Sequence, residues 1–200
     1  MVGPPASGKG TQGRLLAENL GIAYLSTGAR LRREIEEGTL LGQKAKVFLD
    51  ANQYIPDSLA IEMVGSWIGG YSSGWLLDGF PRSIPQAEYL CGTEAAPKLP
   101  TIIHLTVPVL ELRKRVITRR ECLSCGSSST SEHHSCPQCG STELVARVDD
   151  SAEGFEKRLQ AYESLTIPSL QLLRTRTEVL TIEGTGTREE IAQKIRTQLS

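Results

Sequence analysis

The chain has 200 residues, 39% of them hydrophobic, and a formal net charge of −1. That length suits one compact domain with room for inserted subdomains, and the balanced charge excludes a global attraction to nucleic acid or an anionic membrane. No segment approaches the ~18 consecutive apolar residues of a membrane span, and the N-terminus lacks a signal-peptide pattern, so a soluble cytoplasmic chain is expected.

The first stretch is the most informative. Gly3-Pro4-Pro5-Ala6-Ser7-Gly8-Lys9-Gly10-Thr11 fits G-x-x-x-x-G-K-[ST] with Gly10 inserted before the threonine. Such a loop aims several backbone N–H groups at one anion, and the helix behind it adds its positive end. Lys9 is placed to reach β- and γ-phosphates, and Thr11 to ligate Mg²⁺. The helix is legible over 11–20, with Gly21 as its stop. A strand of roughly five residues is expected before the loop, but only Met1 and Val2 precede Gly3. A central first strand this short points to a start a few residues upstream.

Farther on, residues 22–25 read as a short buried strand. Ser26-Thr27-Gly28 then caps a helix over 29–37, and a second helical stretch covers 40–51. Residues 52–56 form a turn, and Asp57 caps a helix through Trp67. The strand over 75–78 ends in the carboxylate of Asp78. A helix follows Gly79-Phe80-Pro81-Arg82 and runs to about Leu90. Residues 101–107 are the clearest strand, β-branched and apolar. A basic helix covers 109–118. Residues 121–146 lose apolar periodicity and form an inserted module. A long helix starts at Asp150 or Ser151, with a break at Pro168. The last strand covers 177–182, and Thr187 caps a final helix over 188–199. Strands alternating with helices predict an α/β fold, a parallel sheet with helices on both faces.

The inserted module carries Cys122-x-x-Cys125 and, ten residues later, Cys136-x-x-Cys139, each pair followed by glycine. This is the spacing of a closed tetrahedral Zn²⁺ site, structural rather than catalytic, in a reducing compartment. His133 and His134 are expected to be loop residues, and Cys91 and His104 packing residues.

Four stretches together resemble adenylate kinases of the nucleoside monophosphate kinase family: residues 3–12, 26–32, 78–86 and 147–158, with Arg119-Arg120 as a fifth match. The resemblance covers nearly the whole chain. It implies a P-loop parallel five-stranded sheet flanked by helices. The core would be residues 1–25, 56–118 and 151–200, the monophosphate-binding subdomain 26–55, and the zinc-binding lid 119–150. It implies reversible phosphoryl transfer from ATP to AMP, giving two ADP, with Mg²⁺ on ATP and structural Zn²⁺ in the lid. It also implies a monomer working on nucleotides, with no nucleic-acid or membrane partner.

The resemblance further assigns roles. ATP would be held by Ala6, Ser7, Gly8, Lys9, Gly10, Thr11, Arg115, Arg119 and Gly186, with Arg115 stacked on the base. AMP would be held by Thr27, Arg32, Gln53, Tyr54, Ile55, Gly79, Phe80, Pro81, Arg82, Gln86, Arg147 and Arg158. Lys9, Asp78, Arg82, Arg119, Arg147 and Arg158 would act on the reacting phosphates, Asp78 by holding Mg²⁺ through water. Arginine suits this work because its planar fork meets phosphate oxygens in pairs. Asp149 and Asp150 are expected to serve as hinge and cap. The sequence departs from the family at Ala29, usually acidic, and at Ser127-Ser128-Ser129, which replaces a Tyr-His pair after the second cysteine. The interval between the cysteine pairs is also shorter than in related lids. Two other readings stay open: a kinase for another monophosphate, and a P-loop protein whose zinc ribbon is a binding module. Residues 123–144 contain no Lys or Arg, which argues against a grip on nucleic-acid phosphates.

Overall fold

The computed structural model describes residues 1–51, 53–92, 100–147 and 150–199. In chain order these contain α1 (Lys9–Leu20), β1 (Ala23–Ser26), α2 (Thr27–Glu36), α3 (Leu40–Asp50), α4 (Asp57–Ile68), β2 (Trp75–Asp78) and α5 (Ile84–Gly92). They continue with β3 (Ile102–Thr106), α6 (Val109–Thr118), β4 (Arg119–Cys122), β5 (Ser128–Thr130), β6 (Leu144–Val145) and α7 (Ala152–Ala161). A π-helical turn (Tyr162–Thr166) leads into α8 (Ile167–Arg174), β7 (Val179–Glu183) and α9 (Arg188–Leu199).

The parallel sheet is built from two pairs. Strands β1 and β2 align Ala23 with Trp75 and Ser26 with Asp78. Strands β3 and β7 align Ile102 with Val179 and Thr106 with Glu183. Met1 and Val2 join the pairs. On one side, the Met1 nitrogen donates to the Leu77 carbonyl and the Gly79 N–H donates to the Met1 carbonyl at 3.1 Å. On the other, Val2 N–H donates to Ile103 and Leu105 N–H donates to Val2, both at 2.8 Å. The expected fifth, central strand is thus present among the described residues as an isolated parallel bridge between Val2 and His104.

Alternation along the strands divides the core between two faces. Val2, Leu25, Leu77 and Ile102 pack with Val64, Ile68, Leu90, Leu170 and Leu173. Met1, Leu76, Ile103, Leu105 and Ile182 pack with Leu16, Ala17, Ile191 and Ile195. Burial on both faces explains why these strands read as unbroken apolar runs. A third cluster, with Ala6, Val107, Leu112, Val116, Phe155 and Leu159, ties α6 and α7 to the N-terminal loop. Strands β5, β4 and β6 form a separate antiparallel unit between α6 and α7.

Helix ends follow local chemistry. Thr187 and Glu190 exchange bonds in a capping box that starts α9. Ser151, rather than Asp150, caps α7 through the Gly154 N–H at 3.0 Å, which leaves the Asp150 carboxylate for another task. Asp57 is the first helical residue of α4, with Pro56 in the cap position, and its side chain also goes elsewhere. The break expected at Pro168 is a π-helical turn just before it. Proline lacks the N–H that would close the regular ladder there. Asn52 of the predicted turn and Asp149 of the predicted hinge lie outside the described residues.

His104 is 5% exposed, and its Nε2 lies 2.7 Å from the Tyr162 hydroxyl. Burial pushes its pKa down from 6.5 to about 4. The folded protein therefore does not take up the proton that the unfolded chain binds below about 6.5. Stability from this residue is present above that pH and is lost as pH falls toward 4. We expect His104→Gln to flatten the stability–pH slope over that window by up to about 1.4 kcal/mol per pH unit, as read by urea unfolding at pH 4.5, 5.5 and 7. An unchanged slope would remove His104 as its source.

Candidate active site

The site gathers at the C-terminal edge of the sheet, the usual place for a ligand in an open α/β fold. Val2 feeds directly into the Gly3–Gly8 loop. Ser7 N–H bonds back to the Pro4 carbonyl at 3.3 Å, and Gln12 N–H bonds to Gly8 at 3.0 Å, so the loop curls and α1 begins at Lys9. Ala6 and Ser7 are buried, while Gly8, Gly10 and Thr11 are half-buried. The segment after β7 lies against the loop: an added Cβ at Gly184 would sit 3.2 Å from the Ser7 carbonyl oxygen. Gly186 follows two residues on.

The Lys9 ammonium donates to the Pro4 carbonyl at 2.7 Å and, more weakly, to Ser7 Oγ at 3.4 Å. Burial pushes its pKa down to about 7. Asp78 opposes that fall, whereas Arg82, Arg119 and Arg158 add to it. One lysine thus feels one carboxylate and three guanidinium groups drawn from three other segments of the chain. Asp78, at the end of β2, is 7% exposed and accepts from the Tyr24 hydroxyl at 3.0 Å. Tyr24 sits 3.3 Å from the Gly10 carbonyl as well, tying β1, β2 and the first turn of α1 at one point. Burial first, and Asp78 second, push the Tyr24 pKa upward, so it remains a donor.

On the other side, Thr27 Oγ1 bonds the carbonyls of Asp78 and Gly79, at 3.2 and 3.1 Å. Arg82 is fixed on several sides. Its Nε donates to the Gly79 carbonyl at 2.6 Å, and its guanidinium lies 4.7 Å from the centre of the Tyr54 ring. Its own carbonyl accepts from Thr166 Oγ1 at 3.0 Å. Gly79 has φ +80°, and a Cβ there would come within 2.6 Å of Arg82 Nη2. The positive φ favours glycine, and a Cβ would displace the Arg82 guanidinium. Phe80, Pro81 and Ile55 are buried beneath this segment. Gln53 N–H bonds the Phe48 carbonyl at 2.8 Å. Gln86, 3% exposed, accepts the Arg82 N–H at 2.8 Å.

Two carboxylates bind the remaining arginines. Asp150 takes Arg119 Nε at 2.7 Å on one oxygen and Arg158 at 2.9 Å on the other, with a second Arg119 contact beside it. Burial works against the Asp150 carboxylate, but the two guanidinium groups outweigh it and hold its pKa below the usual carboxylate range. Glu121, on β4, bridges Arg32 at 2.8 Å and Arg147 at 2.7 Å. Arg147 also reaches Ser128 Oγ at 3.1 Å. Arg115 pairs with Glu111 on α6. Glu121 escaped the sequence reading because a lone acidic residue in a strand carries no signal. The roles of Tyr24 and Thr166 were equally illegible.

The four cysteines stand in two matching turns. Gly126 N–H bonds the Cys122 carbonyl and Gly140 N–H bonds the Cys136 carbonyl, both at 2.8 Å, with positive φ at each glycine. All four sulfurs lie within 4.8 Å of one another, with Cys122–Cys139 at 3.6 Å and Cys125–Cys136 at 3.7 Å. A tetrahedron of thiolates with Zn–S near 2.3 Å has edges of roughly 3.8 Å, so the donor set fits zinc. His133 Nδ1 turns instead to Ser129 and Thr130.

A parallel α/β sheet, a glycine-rich loop ending at a helix and a lysine, and arginines from several segments define a P-loop phosphotransferase. The adenylate kinase profile matches residues 1–178. The chain is 36% identical over 214 residues to an adenylate kinase of Methanothrix thermoacetophila, covering 100% of this chain and 97% of that protein. It is 33% identical over 202 residues to one from Elusimicrobium minutum, with coverage of 98% and 94%. It is also 36% identical over 204 residues to one from Thermodesulfovibrio yellowstonii, with coverage of 97% and 94%. The chain belongs to the adenylate kinase family.

Glu121 serves as the shared anion for two cations. In Glu121→Gln the guanidinium groups of Arg32 and Arg147 face each other without it. We expect the melting temperature to drop by roughly 3–8 °C, and sulfate to raise it by more in the variant than in the parent. Equal sulfate shifts in both proteins would refute the bridge.

Proposed function

We propose that this protein catalyses ATP + AMP ⇌ 2 ADP at the loop–arginine site. Direct transfer between two nucleotides requires two polyanions held in line, water excluded and developing charge neutralised. The observation that carries the reading is the glycine-rich loop and Lys9 with Asp78 fastened beside Gly10 by Tyr24, together with Arg119 and Arg158 held on the single Asp150 carboxylate. The loop N–H groups from Ala6 to Thr11, with Lys9, hold the donor phosphates. Arg115 covers the donor base, and Gly186 borders it. Arg82 and Arg32 grip the acceptor phosphate. Thr27, Gln53, Tyr54, Ile55, Gly79, Phe80, Pro81 and Gln86 shape the acceptor pocket. Arg119, Arg147 and Arg158 stabilise the phosphoryl group in flight, and nucleotide phosphates take over these cations from Glu121 and Asp150. Thr11 and Asp78 offer the hard oxygen donors suited to Mg²⁺, whose charge would neutralise the transferring phosphate oxygens.

In this reading residues 26–55 form the acceptor-binding subdomain, 119–150 the lid, and the remainder the core. Cys122, Cys125, Cys136 and Cys139 hold Zn²⁺ and stiffen the lid. Strand β4 begins at Arg119, and Arg147 follows β6, so the zinc unit serves as a frame for catalytic arginines rather than a separate binding module. The protein works as a monomer on ATP, AMP and ADP without nucleic acid or membrane. No helix among the described residues is long and apolar enough to cross a membrane. The thiolate set suits a reducing compartment, which supports the cytoplasm.

A coupled assay offering AMP, CMP, UMP and GMP is expected to show turnover with AMP above the others. Lys9→Ala and Arg82→Ala should each cut kcat/KM at least ~100-fold with folding intact. No turnover with AMP would overturn the reading. Metal analysis should find about one zinc per chain. Cys136→Ser should lose it and lower the melting temperature by more than ~5 °C; a metal-free parent of equal stability would remove zinc from the account.

A further inference from the structure

Gln86 stands out because both ends of its carboxamide are already engaged by partners of fixed polarity. Its Oε1 accepts the Arg82 backbone N–H at 2.8 Å, and its Nε2 donates to Asp57 Oδ1 at 2.8 Å. A backbone N–H can only donate, and a carboxylate can only accept. The same Asp57 oxygen accepts from Ser83 Oγ at 2.6 Å, which holds the carboxylate in place. Ser83 Oγ in turn lies 3.4 Å from the Gln86 N–H. Ser83 and Gln86 are 7% and 3% exposed.

Turning the amide over would set its oxygen against the Asp57 carboxylate and its NH₂ against the Arg82 N–H. Both contacts would then be repulsive, so a single orientation survives. In that orientation one lone pair on Oε1 and one N–H on Nε2 remain for a ligand. Adenine offers a donor at N6 and an acceptor at N1, the pattern these two atoms complement. A 6-oxopurine offers the reverse, an acceptor at O6 and a donor at N1, and only a flipped amide would match it.

We propose that Asp57, held by Ser83, is a specificity-determining positioning residue: it locks the Gln86 carboxamide in the orientation that reads 6-aminopurine monophosphates and rejects 6-oxopurine monophosphates. The proposal rests on the reading of Gln86 as a contact to the acceptor base. Asp57 reaches the site through Gln86 and Ser83. It acts at the start of α4, through the hydrogen bond that joins that helix to α5.

The test compares AMP with inosine monophosphate as acceptors, at saturating ATP, for the parent enzyme, Asp57→Ala, Ser83→Ala and Gln86→Ala. For Asp57→Ala we expect the kcat/KM ratio of AMP over inosine monophosphate to fall at least tenfold. The fall should come from a higher KM for AMP and better use of inosine monophosphate, with the KM for ATP within twofold of the parent. Ser83→Ala should shift the ratio in the same direction by a smaller factor, and it carries the test if Asp57→Ala fails to fold. A helix-capping role alone would lower the melting temperature and leave the ratio unmoved. An unchanged ratio in the Asp57 and Ser83 variants, with the ratio lost in Gln86→Ala, overturns the lock while keeping Gln86 at the base. An unchanged ratio in all three removes Gln86 from base recognition, and the proposal with it.

Discussion

The structure depends on confining like charges. Arg119 and Arg158 meet at one carboxylate, and Arg32 and Arg147 meet at another. Such a cluster repels itself unless anions sit within it. Asp150 and Glu121 provide them, each bound to two arginines contributed by different segments. The same contacts hold the guanidinium groups against carboxylate oxygens, and under the proposed function an arriving phosphate would exchange one set of charge-assisted hydrogen bonds for another. Burial of Lys9 follows the same logic. Its pKa is lowered first by burial, with the neighbouring guanidinium groups adding to the fall and Asp78 opposing it.

This arrangement is positioned by a sheet with a narrow centre. Two residues, Met1 and Val2, connect the strand pairs and run directly into the phosphate loop. Their side chains enter opposite halves of the core, so each half holds the base of the loop from one side. Tyr24 and Thr27 fasten the neighbouring strand ends to Asp78 and Gly79. Thr166, from the π-helical turn, fastens the Arg82 backbone. The turn exists because of Pro168, so a local break in the helix supports a residue distant in sequence.

Much of the site was legible because its chemistry is written locally. A glycine-rich loop, paired C-x-x-C turns and the Thr187 cap each specify their geometry over a few residues, and the structure reproduces them. What escaped was pairing across distance. Asp57 and Asp150 both read as helix caps, since an acidic residue before a helix is favourable by itself. In the structure, Pro56 and Ser151 occupy the cap positions, and the carboxylates turn to Gln86 and to Arg119 with Arg158. Glu121 carried no signal at all, because its partners lie 89 and 26 residues away.

The sequence by itself determined the alternation of strands and helices, the phosphate loop, the zinc-type cysteine set and the family, since these depend on periodicity and short-range spacing. Only the tertiary structure decided which anion faces each arginine, how two residues serve as the middle of the sheet, and which way the Gln86 amide points. Those outcomes depend on groups far apart in the chain meeting at hydrogen-bond distance, and only the folded chain brings them that close.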